Sequence, residues 1–139
     1  MSGNEHWFPG RLTDMSAGEC RDLMRSTSVG RVAFVDEDGP VVLPVNYELD
    51  GEGVLFRTSP VNSMGRHLDS AAVAFEVDTF DDYTQSGWSV LVRGTATFVG
   101  TDDVVRDHTH QPFAWAAGPR TQVVRITPSS MTGRRLLPG

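Results

Sequence analysis

The chain has 139 residues, a length that fits one domain and that buries roughly two-thirds of its unfolded surface without a disulfide or metal to hold it. Its 39% apolar content is low for a globular domain but outside the disordered range, and its net charge of −6 argues against a nucleic-acid footprint, which needs a basic stripe. The single cysteine, Cys20, excludes an intrachain disulfide and fits a reducing, cytoplasmic setting; no apolar run approaches the roughly 20 residues that cross a bilayer.

The polar segment Met1 to Gly10 has no hydrophobic signal core. Residues 1–13 are expected as a flexible lead-in pinned by Trp7 and Phe8, and residues 14–139 as one domain. Ser16-Ala17-Gly18-Glu19 fits a capping box, with Ser16 as N-cap and Glu19 reaching back to its amide. Cys20, Leu23 and Met24 then form the apolar face of a helix that ends near Ser26, which makes Cys20 a buried structural thiol.

Strands follow. Val29 to Val35 is rich in β-branched residues and is closed by the turn Asp36-Glu37-Asp38-Gly39-Pro40. Val41 to Tyr47 is the next, and Pro44 inside it requires an edge, a bulge or a gap in the sheet. Asp50-Gly51-Glu52-Gly53 is a hairpin turn into a third strand, Val54 to Thr58. Pro60 to Leu68 turns into a short helix, Ala71 to Asp78 is a fourth strand, and Asp81 to Gln85 a polar loop. Trp88 to Val99 reads as the longest strand, with Trp88, Val90, Val92, Ala96 and Phe98 on one face. Asp102 to His108 is expected as a short helix, Gln111 to Pro119 as a loop, and Thr121 to Thr127 as the last strand. Six short strands joined by hairpin turns predict a mainly β fold, a closed antiparallel sheet that leaves no exposed edge.

Val29-Gly30-Arg31-Val32-Ala33-Phe34, Leu43-Pro44-Val45-Asn46-Tyr47, Phe56-Arg57-Thr58, Phe75-Glu76-Val77-Asp78 and Gly87-Trp88-Ser89-Val90-Leu91-Val92-Arg93-Gly94 occur in that order. In order and spacing the chain resembles the pyridoxamine 5′-phosphate oxidase-like proteins, from about Ser16 to about Thr127. The resemblance implies a six-stranded split β-barrel of Greek-key type with a few short helices. It also implies a homodimer that binds FMN between its subunits and acts on a small-molecule substrate, with no nucleic-acid or membrane partner.

By the same resemblance, Arg57 and Thr58 hold the flavin phosphate and ring, helped by Ser63 and Arg66. Pro44, Val45 and Asn46 line the ring, and Trp88 and Ser89 cover it. The chain departs from the oxidases in two places. Their phosphate lysine is replaced by Met64, and their Arg-Gln pair by Trp88-Ser89, which argues against pyridoxamine phosphate oxidation itself. A deazaflavin coenzyme, or a non-catalytic cofactor-binding or stress-response module, are the alternatives.

The residues carry plainer readings as well. Arg57, Thr58, Ser59, Asn62 and Ser63 make either an anion cradle or a solvated turn with N-caps at Ser59 or Asn62. Trp88 is either a flavin cover or an anchor of the core or dimer interface. His67 is either a helix-end residue, a proton donor or a haem ligand. Asp78, Asp81 and Asp82 read as a solvated acidic loop, and His108-x-His110 offers too few ligands for a structural metal site.

Overall fold

The computed structural model describes residues 11–59, 61–100 and 122–138. The elements are β1 (Arg11–Met15), α1 (Ala17–Arg25), β2 (Val29–Asp36), β3 (Gly39–Asp50), β4 (Gly53–Thr58), α2 (Ser63–His67), β5 (Ala71–Asp81), β6 (Ser86–Val99) and β7 (Gln122–Leu137). The readings placed on Trp7 and Phe8, on 102–119 and on His108 and His110 lie outside the described residues.

All strand pairs are antiparallel. The sheet runs β1-β7-β4-β3-β2-β5-β6, and β6 also pairs with β7, so six strands close on themselves and β1 is a seventh, added outside the ring. β2, β3 and β4 are consecutive hairpin neighbours, and β5 returns to lie beside β2, which is a Greek key.

Two expectations from the sequence are corrected here. Arg11 to Thr13, read as lead-in, belong to β1, which pairs from Arg11↔Leu137 to Met15↔Gly133. The last strand runs to Leu137 rather than Thr127, so β7 at 16 residues, not β6 at 14, is the longest. Pro128 and Gly133 look like punctuation in the sequence, but both have structural uses. Arg93 pairs with Ser130 and Gly94 with Pro128, leaving Ser129 as the extra residue of a bulge, its hydroxyl donating to the Arg93 carbonyl at 3.1 Å. At Gly133 a Cβ would lie 2.4 Å from Cys20 Sγ, so the glycine lets α1 approach the sheet.

The capping box forms as expected: the Ser16 amide donates to Glu19 Oε1 at 3.1 Å and the Glu19 amide to Ser16 Oγ at 3.2 Å. Cys20 and Met24 of α1 enter the barrel core, as do Met64 and Leu68 at α2. The helices sit at opposite ends of β3: Arg21 pairs with Glu52 past its end, and Ser63 with Asp36 before its start. Between them lie Phe56, Phe75, Val32, Val90 and Val92, all fully buried. The Tyr47 hydroxyl ties this core to α1 by donating to the Met24 carbonyl, while its ring meets Phe75 edge-on at 5.0 Å.

The bulge yields a test of barrel closure. A Cβ on Gly94 would stand 2.2 Å from the Thr127 carbonyl oxygen and 3.0 Å from Pro128 Cα, backbone atoms that cannot swing aside. Gly94→Ala is expected to cost about 1–3 kcal/mol in urea unfolding, the range for overpacked sites; an unchanged midpoint would mean that the β6–β7 seam tolerates extra width.

Candidate functional site

β3 has 12 residues, but β4 pairs only with its last stretch, Tyr47 to Asp50. The Tyr47 amide donates to the Ser28 carbonyl at 3.0 Å. Alternation along an antiparallel pair then points the amides of Val45 and Leu43 at β2, and those of Asn46 and Val42 away from it. Pro44 is at one of the positions facing away, so its missing N–H costs the ladder nothing. The first part of β3 is thus a sheet edge among the described residues, one of the three settings that Pro44 allows. The side chain of Val45 turns into the core, while Pro44 is exposed and Asn46 half-buried on the outer face. Of the three ring-lining positions, only Pro44 and Asn46 present side chains outward.

β4 ends at Thr58, which is 3% exposed and sits 3.1 Å from Asn62 Nδ2. Asn62 is the N-cap of α2, its Oδ1 accepting from the Gly65 amide at 2.9 Å. Arg57 beside it is half-buried and pairs in register with Val123. The remaining donors point elsewhere. Ser63 Oγ donates to Asp36 Oδ2 at 2.9 Å. Arg66 donates to the Val61 carbonyl at 2.7 Å and lies 3.8 Å from Glu37. His67 stands between the Ser63 carbonyl (2.9 Å from Nδ1) and Glu37 (2.6 Å from Nε2). Both partners are acceptors, so holding both bonds requires a proton on each ring nitrogen. The Asp38 amide and the Ser63 hydroxyl hold the Asp36 carboxyl below the ordinary range, which keeps it anionic.

Trp88 is 7% exposed and belongs to the core cluster, so its ring packs inside the barrel, as the anchor reading had it, and does not cover a ligand outside. Ser89 takes the opposite face. It pairs with Asp78 and Arg134 and lines a groove of about 750 Å³. Along the sheet, Asn46 and Ser89 are separated by β2 and β5, three strand spacings or roughly 14 Å.

Between them is a cluster that sequence reasoning missed. Arg31 Nη1 bonds Glu76 at 3.0 Å and Asp78 at 3.2 Å, and Arg31 itself lies opposite Pro44. The signal was the i, i+2 spacing of Glu76 and Asp78, which puts two carboxylates on one face of a strand; their strand partner, Arg31, is fixed only by the register of β2 against β5. Asp78 therefore belongs with Arg31 and Glu76, whereas Asp81 accepts from the amides of Tyr83 and Thr84 at the turn. Burial, then the shared hydrogen bond and charge of Asp78, push the Glu76 carboxyl up to about 7 despite Arg31.

An antiparallel barrel split along one strand edge, with helices at its mouths, defines the class. The chain belongs to the pyridoxamine 5′-phosphate oxidase-like family, whose model, described as pyridoxamine 5′-phosphate oxidase, matches residues 16–135. The uncharacterized protein Rv0080 of Mycobacterium tuberculosis is 30% identical over 131 residues, covering 91% of this chain and 86% of that protein. Among solved structures, the FAD binding protein from Mycobacterium smegmatis superposes with a TM-score of 0.69 at 32% identity, covering 90% of this chain and 98% of that one. The conserved protein DIP1874 from Corynebacterium diphtheriae gives a TM-score of 0.75 at 30% identity, with 91% and 98% covered. No helix among the described residues is long and apolar enough to cross a membrane.

The residues fit a flavin at one end and not at the other. The β3 edge offers backbone donors and acceptors beside a flat proline, which suits a ring. At α2, Ser63 and Arg66 are engaged by neighbours, Met64 is 7% exposed in the core, and Asp36 and Glu37 place negative charge beside the residues to which the resemblance assigns the phosphate. A monophosphate grip through Ser63 and Arg66 is not formed.

Glu76 gives a pH test. Its folded value lies above the unfolded 4.5, so the folded state binds a proton that the unfolded chain has released. That contribution is present at low pH and lost as pH rises through about 7. Glu76→Gln should therefore gain melting temperature relative to the parent between pH 5 and pH 8. A variant that loses ground at pH 8 would show that the ionised Glu76–Arg31 pair outweighs the burial.

Proposed function

We propose that the protein is a homodimeric flavoprotein, a small-molecule oxidoreductase that binds FMN or FAD with the flavin ring along the β3 edge from Val42 to Asn46. The observation that carries this reading is that edge itself, which has no strand partner among the described residues and lies beside the buried Thr58. The FAD binding protein from Mycobacterium smegmatis, similar over nearly its whole length, supports a flavin in this chain too. The bound flavin would supply the hydride chemistry. The chain would contribute backbone contacts at Val42 and Asn46, the flat face of Pro44, and a cation at Arg57.

FMN is the flavin that the sequence resemblance implies, and a deazaflavin coenzyme offers the same ring shape with a longer tail. With Ser63 and Arg66 engaged elsewhere, a ligand with contacts beyond its first phosphate is favoured, and FAD meets that condition. The missing Arg-Gln pair at Trp88-Ser89 argues that pyridoxamine 5′-phosphate is not the substrate. A homodimer is supported by the outer face of β2 and β5, where exposed Val35 and the small residues Ala33, Ala72 and Ala74 line a shallow depression of about 610 Å³. The second reading, a cofactor-free module, draws on Met64 and on the carboxylates that occupy the α2 donors.

Purified protein titrated in parallel with FMN, FAD and a deazaflavin coenzyme decides among these. A flavin dissociation constant below about 100 µM, or about 5.5 kcal/mol, is expected, with FAD the tighter of the two. Weaker binding of both flavins leaves the deazaflavin or the cofactor-free module. Arg57→Ala should weaken flavin binding at least tenfold, roughly the worth of one charge-assisted contact; equal affinity would move the anion site away from β4. Sedimentation at micromolar concentration tests the dimer.

A further inference from the structure

Asp36, Glu37 and Asp38 at the turn between β2 and β3 are three carboxylates in succession, the only such run in the sequence. The turn lies against α2, whose last turn carries Arg66 and His67. Two contacts join them. At the base of the turn, Ser63 Oγ donates to Asp36 Oδ2 at 2.9 Å, and the Asp38 amide donates to Asp36 Oδ1 at 2.8 Å. At its tip, His67 Nε2 stands 2.6 Å from Glu37 Oε2, and Arg66 Nη2 3.8 Å from Glu37 Oε1.

The two contacts answer differently to a proton. At the base, Asp36 is held below the usual carboxylate range by the Asp38 amide and the Ser63 hydroxyl, so it stays anionic and keeps its bonds. At the tip, His67 lies between two acceptors, with the Ser63 carbonyl 2.9 Å from Nδ1 and Glu37 on the other side. A neutral imidazole has a single N–H. Once it loses a proton, the ring keeps one of these bonds, and its other nitrogen turns a lone pair toward an oxygen. The Ser63 carbonyl is fixed in the backbone of α2, whereas the Glu37 side chain is 62% exposed and can turn to water. The bond to Glu37 is therefore the one that breaks. An exposed ion pair is weak in water, which is why a single proton can tip it. The other charged groups beside His67 are Asp36, with Asp38 next along the turn, and Arg66 on its own helix. Asp69, two residues further on, accepts instead from the Phe98 amide at 3.0 Å.

We propose that the β2–β3 turn is a proton-operated clasp on α2: protonated His67 holds Glu37 and closes it, and loss of that proton releases the tip while Asp36 keeps the base on Ser63. Closure takes up a proton, so the clasp closes as pH falls and opens as pH rises. The tip runs through Gly39, at a φ of +117°, straight into the open edge of β3. Opening removes a carboxylate from beside Arg66, which keeps its bond to the Val61 carbonyl. The clasp works in the same way whatever ligand lies along β3.

The full chain, isotopically labelled and free of ligand, is followed by NMR from about pH 5.5 to about pH 8.5, the range in which histidine changes charge. The amides of Glu37, Asp38 and Gly39 should shift with the same midpoint as the His67 ring nitrogens. Their heteronuclear Overhauser effects should fall as pH rises. His67→Gln and Glu37→Ala should each lose this response. Glu76→Gln should keep it, which separates the clasp from the raised carboxyl on the outer face. A His67 ring that holds one charge state throughout, turn amides that stay still while it titrates, or a response that persists in His67→Gln would overturn the proposal. Unmoved amide peaks of Phe56 and Val90 in both clasp variants distinguish a lost clasp from a lost fold.

Discussion

Closure of the barrel rests on β7. Its first residues, Gln122 to Ile126, lie between β4 and β6, and its last, Gly133 to Leu137, lie between β6 and β1. One strand thus joins the β2–β3–β4 meander to the β5–β6 hairpin and accepts the start of the chain as well. A straight ribbon cannot satisfy three neighbours, so the strand changes register at Ser129, next to a glycine that no other residue can replace without meeting backbone. The enclosed core and the orientation of Ser89 and Arg93 away from it follow from that seam.

At α2 the polar side chains are satisfied by their own neighbours. Ser63 and Arg66 read from the sequence as helpers of a phosphate grip, and His67 as a helix-end residue, a proton donor or a haem ligand. In the folded chain the acidic turn between β2 and β3 reaches them first, with carboxylates at hydrogen-bonding distance from Ser63 and His67. Met64, which carries no charge, joins the core. On the outer face of the sheet the arginines divide: Arg31 holds Glu76 and Asp78, whereas Arg93 and Arg134 have no carboxylate partner among the described residues.

Much of the fold was legible because its signals are local. The Ser16–Glu19 capping box, the β-branched run from Val29 and the Asp-Gly turns each declare themselves within a few residues. Pro44 called for an edge, a bulge or a gap, because a missing donor admits few positions in a sheet. The two ends of the chain were not legible: β1 exists because β7 offers an edge, and β7 continues past Pro128 because a bulge absorbs it. Neither fact is contained in a window of neighbouring residues. Around the candidate site, the end of β4 at Thr58 was readable. The inward turn of Val45 and the core position of Trp88 follow the same alternation of faces that the sequence displays. The Arg31–Glu76–Asp78 cluster and the Asp36–Ser63 bond needed the register between distant strands.

The pairing of β1 with the end of β7 has a mechanical consequence. Arg11 and Leu137 face each other at the same end of an antiparallel pair. Tension applied at these two residues would load the first ladder bonds one after another instead of shearing them together. The strands would peel apart like a zipper, and the force would next reach the β6–β7 seam from its Gly87–Leu136 end. A barrel held together by a closed core would therefore be soft to pulling from these two points.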